Sequence, residues 1–245
     1  MTRSIAILHF AAPPIIGGVE STIYHHALLL ANAGYEVTVI AGRGESFHPQ
    51  VKLQIIPEID SRHPLVLEVG KDLAKGVISS QFISLRDDLI NQLQKVLDNI
   101  DICIVHNAVT LHKNIALTAA LRDIANQTEV HLIAWCHDFA WQDPLYTSDL
   151  HTGYPWDLLN TPWPGVRYVV VSEHRRTRLA GLLNIPSQDI QVIHPGVDLN
   201  QFFKLAPLTQ RLVQELNLYQ TNPLLLLPAR ITRRKNIQFG IRITA

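Results

Sequence analysis

Short apolar segments alternate along the chain with longer segments in which apolar residues recur every three or four positions. The short segments are rich in β-branched residues and mostly continuous, which is typical of strands covered on both faces. We predict strands at Ser4–Phe10, Glu36–Ile40, Val51–Ile56, Ile102–His106, His131–His137, Arg167–Ser172 and Gln191–His194. The helical period predicts helices at Val19–Ala33, Ser79–Asn99, His112–Asn126 and Glu173–Leu183. This alternation predicts an α/β domain with a Rossmann-like parallel sheet and helices on both faces.

Two segments interrupt this alternation. Pro57–Lys75 has little period of either kind, and we predict a loop or lid. Asp138–Pro164 is rich in Trp, Tyr, Asp and Pro and follows a strand directly. Long irregular segments in compact domains are often functional, but an aromatic minicore at the domain edge explains the same composition. Both interpretations stay open.

The pattern divides the chain into two parts. Residues 1–195 form the predicted Rossmann-like domain, and residues 196–245 form a linker and the start of an incomplete second α/β domain. In the second part we predict a helix at Leu208–Leu218, a buried strand at Pro223–Pro228 and the start of another helix after Arg230. So short a part is near the lower limit for independent folding. We therefore expect it to dock on the first domain, to pair with a second chain that completes it, or to be poorly ordered.

Composition excludes some classes of partner. The 245 residues include 21 Lys and Arg against 21 Asp and Glu, so a strongly basic face for nucleic acid is not expected. Cys103 and Cys136 lie inside apolar runs, which predicts reduced core residues and a cytoplasmic protein. Since no run approaches the ~18 apolar residues of a spanning helix, membrane contact is expected only as peripheral contact, at the inner face of the membrane.

A glycine pair follows the first predicted strand. Gly17 and Gly18 precede a predicted helix, where backbone N–H groups and the helix dipole favour an anion such as phosphate. The spacing fits neither the dinucleotide fingerprint nor a P-loop. The structural alternative is a tight turn that needs positive φ.

The fifth predicted strand ends at a polar pair. Ligands in open α/β sheets bind outside the carboxyl ends of the strands, so we expect His137 and Asp138 to face the same crevice as Gly17 and Gly18. A neutral imidazole there is able to hydrogen-bond a sugar hydroxyl or orient a reacting group. With 12 histidines in the chain, a structural role for His137 is the alternative.

Four cations cluster near the end of the chain, at Arg230, Arg233, Arg234 and Lys235. Arg230 as a fork and Lys235 as a point charge suit a diphosphate. A solvated basic turn is the alternative.

Taken in order, these motifs resemble the retaining GT-B glycosyltransferases of family 4. The motifs are Gly17-Gly18-Val19-Glu20, His137-Asp138, Val170-Val171-Ser172, His194-Pro195-Gly196-Val197-Asp198 and Arg230 followed by Lys235-Asn236. The resemblance implies transfer of a sugar from a nucleotide-sugar donor to a saccharide or lipid acceptor, without a metal or other cofactor.

The resemblance also implies roles for particular residues. Gly17, Gly18, Arg230 and Lys235 would bind the donor, and His137 would contact the transferred sugar as the catalytic residue. The implied acceptor-binding residues are Glu20, Asp138 and Ser172.

One family element is absent from the sequence. The Glu-x7-Glu element, which binds the donor in the second domain of this family, does not occur before residue 245. We therefore expect weak donor affinity and impaired transfer by this chain alone. The alternatives are a noncatalytic acceptor-binding subunit and a degenerate remnant of a glycosyltransferase. A GT-B-like sugar-nucleotide epimerase is less favoured by the Arg230 to Lys235 spacing.

Overall fold

The computed structural model describes residues 3–196, 206–218, 220, 222, 225–230 and 232–244. The chain divides into two compact units, Met1–Pro195 and Gly196–Ala245, which are treated separately below. Val197 and Asp198, which belong to a motif in the sequence, lie outside the described residues.

The described part of the first unit contains a seven-stranded parallel sheet. Its strands are β1 (Ser4–His9), β2 (Glu36–Ala41), β3 (Val51–Ile55), β4 (Ile102–His106), β5 (His131–Cys136), β6 (Arg167–Val170) and β7 (Ile190–Val192). They lie in the order β3-β2-β1-β4-β5-β6-β7, and every neighbouring pair is parallel. The predicted Rossmann-like α/β fold is confirmed, with strand ends that differ by up to two residues.

Helices cover both faces of this sheet. They are α1 (Gly18–Asn32), α2 (Pro64–Leu73), α3 (Ser80–Leu97), α4 (Ile115–Gln127) and α5 (Glu173–Leu183). Alternate residues of β1 and β4 enter two separate apolar clusters, one with α1 and the other with α2, α3, α4 and α5. Successive side chains of a strand point to opposite faces of the sheet. Because both faces are covered here, both sets of side chains are buried, and the strands are therefore continuous apolar runs.

The prediction of a loop or lid at Pro57–Lys75 is wrong. The segment forms a short 3-10 turn at Pro57–Ile59 and then α2, a regular helix that begins at Pro64. Val66, Val69 and Leu73 are buried, at the three- and four-residue steps of a helical stripe. A proline in the first turn is compatible with a helix. The helix has only ten residues, so its apolar periodicity was too short to be recognised in the sequence.

The segment after β5 packs as an aromatic minicore. It contains 3-10 turns at Ala140–Gln142, Thr147–Asp149 and Trp156–Leu159. Trp156 and Trp163 are buried in the large apolar cluster, and Trp163 Nε1 donates to the Leu158 carbonyl at 3.0 Å. Trp156 Nε1 is buried without a hydrogen-bond partner among the described residues. Burial of the two indole rings stabilises the core through their large apolar area, so the packing interpretation accounts for the burial of both residues.

Both cysteines are free thiols buried in the core of the first unit. Cys103 on β4 and Cys136 on β5 are buried and form no disulfide. Burial raises the pKa of each thiol to about 12, which keeps both thiols protonated and unreactive.

The second unit contains two helices in its described part, α6 (Pro207–Glu215) and α7 (Ile237–Thr244), and a 3-10 turn at Arg233–Lys235. The strand predicted at Pro223–Pro228 is not formed over residues 225–228, and Pro223 and Leu224 lie outside the described residues. Leu226 is 75% exposed. An apolar run becomes a strand only where another strand pairs with it, and the described residues of this unit supply none.

Candidate functional site

The sheet has a topological switch point between β1 and β4. The chain leaves β1 for α1 on one face, and it leaves β4 for α4 on the other face. The two connections diverge from the carboxyl ends of neighbouring strands, and ligands of open α/β sheets bind in the crevice that this divergence creates.

Gly17 and Gly18 occupy the connection from β1 to α1. Gly17 is the extended residue that precedes α1, with φ of −174°, and Gly18 is the first helical residue. Neither residue has positive φ, so the tight-turn alternative does not explain the pair.

The space around each glycine is different. A Cβ at Gly17 would overlap the carboxylate of Glu20, whose side chain is buried against it. A Cβ at Gly18 would meet no atom of the described residues within 4 Å. Gly18 therefore leaves the N-terminus of α1 open to approach. Glu20, the residue predicted to bind acceptor, lies in the first turn of α1, where its charge complements the helix dipole.

Histidines line the carboxyl ends of three strands. His9 ends β1, His106 ends β4 and His137 directly follows β5. Each lies two positions after an apolar residue that packs on the α1 side, namely Ile7, Ile104 and Trp135. Strand alternation therefore places the three histidines toward the same face as the helix that begins at Gly18. We name His9, His26, His106 and His137 the histidine cluster.

Direct contacts join the members of the histidine cluster. His9 Nδ1 donates to the backbone carbonyl of His106 at 2.9 Å. His106 Nδ1 lies 3.1 Å from His137 Nε2, and the two rings stack with centroids 5.4 Å apart. His26, on α1, packs its ring 5.6 Å from that of His106 and 4.4 Å from that of Trp135. The cluster thus connects α1 and the ends of β1, β4 and β5.

Burial keeps the imidazoles of the cluster neutral near pH 7. It lowers the pKa of His9 and of His137 to about 4. It also lowers the pKa of His26, and that of the fully buried His106 well below its ordinary value. Within the part of the chain that the structure describes, no group of three or more His, Cys, Asp or Glu residues is arranged to hold a metal ion.

Asn107 fixes the connection that carries His137. It has φ of 62°, a left-handed conformation that asparagine tolerates better than most residues. Its Oδ1 accepts hydrogen bonds from the backbone N–H groups of His137 at 2.8 Å and of Asp138 at 3.1 Å. Thr110 Oγ1 also donates to the Asp138 carbonyl at 2.8 Å. The loop after β4 therefore determines where the loop after β5 lies.

The N-terminus of α5 reaches the same edge. Ser172 precedes α5, and its Oγ accepts a hydrogen bond from the Arg175 N–H at 3.2 Å. Arg175 Nη2 lies 3.4 Å from Asp138 Oδ1. Arg175 thus contacts both Asp138 and Ser172, the two residues predicted to bind acceptor, and the Ser172 hydroxyl serves as a helix cap.

Six of the eight predicted residues lie along one edge of the first unit: Gly17, Gly18, Glu20, His137, Asp138 and Ser172. Arg230 and Lys235 belong to the second unit, where both side chains are exposed. Lys235 ends the 3-10 turn, and Asn236 has φ of 49° immediately before α7. Their predicted role in donor binding stays a prediction.

His9, His26, His106 and Asn107 also lie at this edge and were not predicted from the sequence. A strand-end histidine on the α1 face is detectable by counting two positions from a buried apolar residue, as at Ile7 and Ile104. The hydrogen bonds of Asn107 join two loops about thirty residues apart, so no local sequence pattern predicts them.

The residues 16–201 match the model of Glycosyltransferase Family 4. The chain belongs to this family. The predicted family is confirmed.

Among curated proteins, mannosylglucosylglycerate synthase of Petrotoga mobilis is 26% identical over 163 residues, which cover 65% of this chain and 36% of the relative. Two solved structures share the fold. WaaG, a glycosyltransferase involved in lipopolysaccharide biosynthesis, matches with a TM-score of 0.57 and 13% identity over 97% of this chain and 58% of its own. A glycosyltransferase from Rickettsia africae matches with a TM-score of 0.56 and 14% identity over 94% and 54%. The chain thus spans about a third of the curated relative and just over half of each solved structure.

Proposed function

We propose that this chain provides the acceptor-side domain of a retaining glycosyltransferase, which transfers a sugar from a nucleotide-sugar donor to a saccharide or lipid acceptor. The observation that carries the proposal is the open N-terminus of α1 at Gly18, on the same sheet face as the strand-end histidines. An exposed helix N-terminus attracts phosphate oxygens, and neutral imidazoles are suited to sugar hydroxyls.

The donor phosphates are the proposed ligand of Gly18. With no side chain at this position, a phosphate oxygen is able to approach the backbone N–H groups of the first turn. Gly17 contributes indirectly, because its lack of a Cβ leaves room for the Glu20 carboxylate.

Leaving-group stabilisation is assigned to Arg230 and Lys235, on the strength of the family resemblance. Two cations beside a nucleoside diphosphate stabilise the charge that develops as the sugar departs. We propose that these cations serve in place of a metal ion and that no cofactor takes part.

The acceptor is proposed to lie near Asp138 and Ser172. The Petrotoga relative is named for a sugar-containing product, which favours a saccharide acceptor. No helix in the described part of the chain combines the length and apolar character needed to cross a membrane. For a lipid acceptor we propose peripheral contact of a cytoplasmic protein with the membrane surface.

Thermal unfolding in the presence of nucleoside diphosphates tests this function. Ligand binding to the native state increases the free energy of unfolding by RT ln(1 + [L]/Kd) and thereby raises the melting temperature. We expect millimolar UDP or GDP to raise the melting temperature and Gly18→Leu to abolish the increase.

Gly181→Leu is the matched control. Gly181 is exposed within α5, and a Cβ there also meets no described atom within 4 Å. This variant should keep the ligand-dependent increase. Absence of any increase with the unsubstituted chain at millimolar diphosphate would contradict the proposed donor site.

A further inference from the structure

The protonation of His106 is constrained by its surroundings. The ring is 0% exposed, and its pKa is lowered by burial and then by the nearby His137, His9 and His26. It therefore carries one proton, on either Nδ1 or Nε2. Nδ1 lies 3.1 Å from His137 Nε2, whereas Nε2 is buried and has no hydrogen-bond partner among the described residues.

The two tautomers of His106 leave different atoms unpaired. With the proton on Nδ1, His106 donates to His137, and only an acceptor nitrogen stays unpaired. With the proton on Nε2, an N–H donor is buried without a partner, and such donors are rarer in proteins than unpaired acceptors. Trp135 Nε1, on the ring that stacks on His106, is already a buried donor without a partner among the described residues. A second such donor beside it is the less favourable arrangement.

We propose that His106 is a positioning residue that donates its Nδ1–H to His137 Nε2 and thereby holds the proton of His137 on Nδ1. His137 then presents an N–H donor at the carboxyl edge of the sheet, and its Nε2 is occupied and unable to act as a general base. The ligand contact rests on the proposed function, in which this N–H donates to a hydroxyl of the donor sugar.

The elements packed around His137 are consistent with this assignment. His9 on β1 donates to the His106 carbonyl, which holds the end of β4 in place. Burial disfavours a second proton on the His137 ring, as do His9, His26 and Arg175, whereas Asp138 favours one. Burial has the largest effect and lowers the pKa of His137 to about 4, so the ring is neutral and carries a single proton at pH 7.

Nitrogen NMR on histidine-labelled protein tests the tautomer without reference to function. Long-range proton–nitrogen spectra of the full chain at pH 7.5 distinguish Nδ1–H from Nε2–H rings, and His106→Asn and His137→Gln assign the two residues. We expect both His106 and His137 to be Nδ1–H. A His137 ring protonated on Nε2 in the unsubstituted chain would overturn the inference, whatever the ligand measurements show.

Two substitutions of His106 separate positioning from packing. In His106→Asn the amide N–H2 lies close to the position of Nδ1 and still donates, whereas His106→Leu fills the space without a donor. We expect His137 to stay Nδ1–H in His106→Asn and to shift toward Nε2–H in His106→Leu. Should either variant fail to fold, the spectrum of the unsubstituted chain decides alone.

Binding of a sugar nucleotide, compared with binding of the free diphosphate, tests whether the His137 tautomer affects recognition of the sugar. We expect His106→Leu to weaken binding of a UDP-sugar or GDP-sugar about five- to tenfold, the effect of one lost hydrogen bond, and to leave binding of the free diphosphate unchanged. His106→Asn should restore the affinity for the sugar nucleotide. Equal weakening of both ligands by His106→Leu would contradict positioning of His137. Failure of the unsubstituted chain to bind either ligand would count against the proposed function and leave the tautomer result standing.

Discussion

The need for glycine at position 17 comes from a neighbouring side chain. Gly17 is extended, a conformation open to any residue, yet the Glu20 carboxylate fills the space that a Cβ would take. Gly18 is helical and has free space in front of it in the described part of the chain. Two adjacent glycines therefore have different reasons to be glycine, one for packing and one for access.

The free energies of unfolding of Gly17→Ala and Gly18→Ala should distinguish the packing role of Gly17 from the access role of Gly18. Gly17→Ala displaces the Glu20 carboxylate from the first turn of α1 and is expected to lower the free energy of unfolding by about 0.5–1 kcal/mol, the size of a helix-dipole interaction. Gly18→Ala should change it by less than about 0.5 kcal/mol, since a helical glycine loses nothing by gaining a Cβ in open space. Urea unfolding measures both. Because Glu20→Ala removes the same interaction, adding it to Gly17→Ala should cost nothing further, and additive losses would contradict the packing explanation.

At the level of elements, the strands were predictable and their side-chain contacts were not. Ile102–His106 was predicted to the residue, because a continuous apolar run ending in a polar residue is a local signal. The run at Pro223–Pro228 gave the same signal without forming a strand over its described residues, because strand formation depends on a partner that the run does not specify. His137 was identified from its position at a strand end, but its contact with His106 requires two strands to be placed side by side.

The loop after β4 illustrates such a non-local contact and can be tested. Asn107→Ala removes an acceptor shared by two backbone N–H groups and places alanine at positive φ, so we expect a loss of about 2–4 kcal/mol. Asn107→Gly removes the same acceptor but tolerates the backbone conformation, and it should recover about 1 kcal/mol of that loss. Urea unfolding gives the energies, and hydrogen exchange should show faster exchange at His137 and Asp138 in both variants. Unchanged exchange there would mean that Asn107 does not hold the loop.

At the level of the whole molecule, the neutral histidines couple stability to pH. In the folded chain the pKa of His9, of His112 and of His137 is lowered to about 4 from the ordinary 6.5. Between these values the unfolded chain binds protons that the folded chain excludes. Stability should therefore be constant above pH 6.5, fall as the pH decreases toward 4, and level off, for these groups, below 4.

The expected slope is large enough to measure on the first unit. Each fully buried histidine contributes up to about 1.4 kcal/mol per pH unit. His9, at 6% exposure, comes nearer to this limit than the partly exposed His112 and His137. All four tryptophans lie in Met1–Pro195, so urea unfolding followed by tryptophan fluorescence reports on that unit alone.

His9→Gln should lower the free energy of unfolding at pH 7.5, because a buried hydrogen bond is altered, and should also flatten its decrease between pH 6.5 and 4.5. His174→Gln, at an exposed position on α5, should leave both unchanged. If His9→Gln kept the original slope, the acid sensitivity of the first unit would have to arise from groups other than His9.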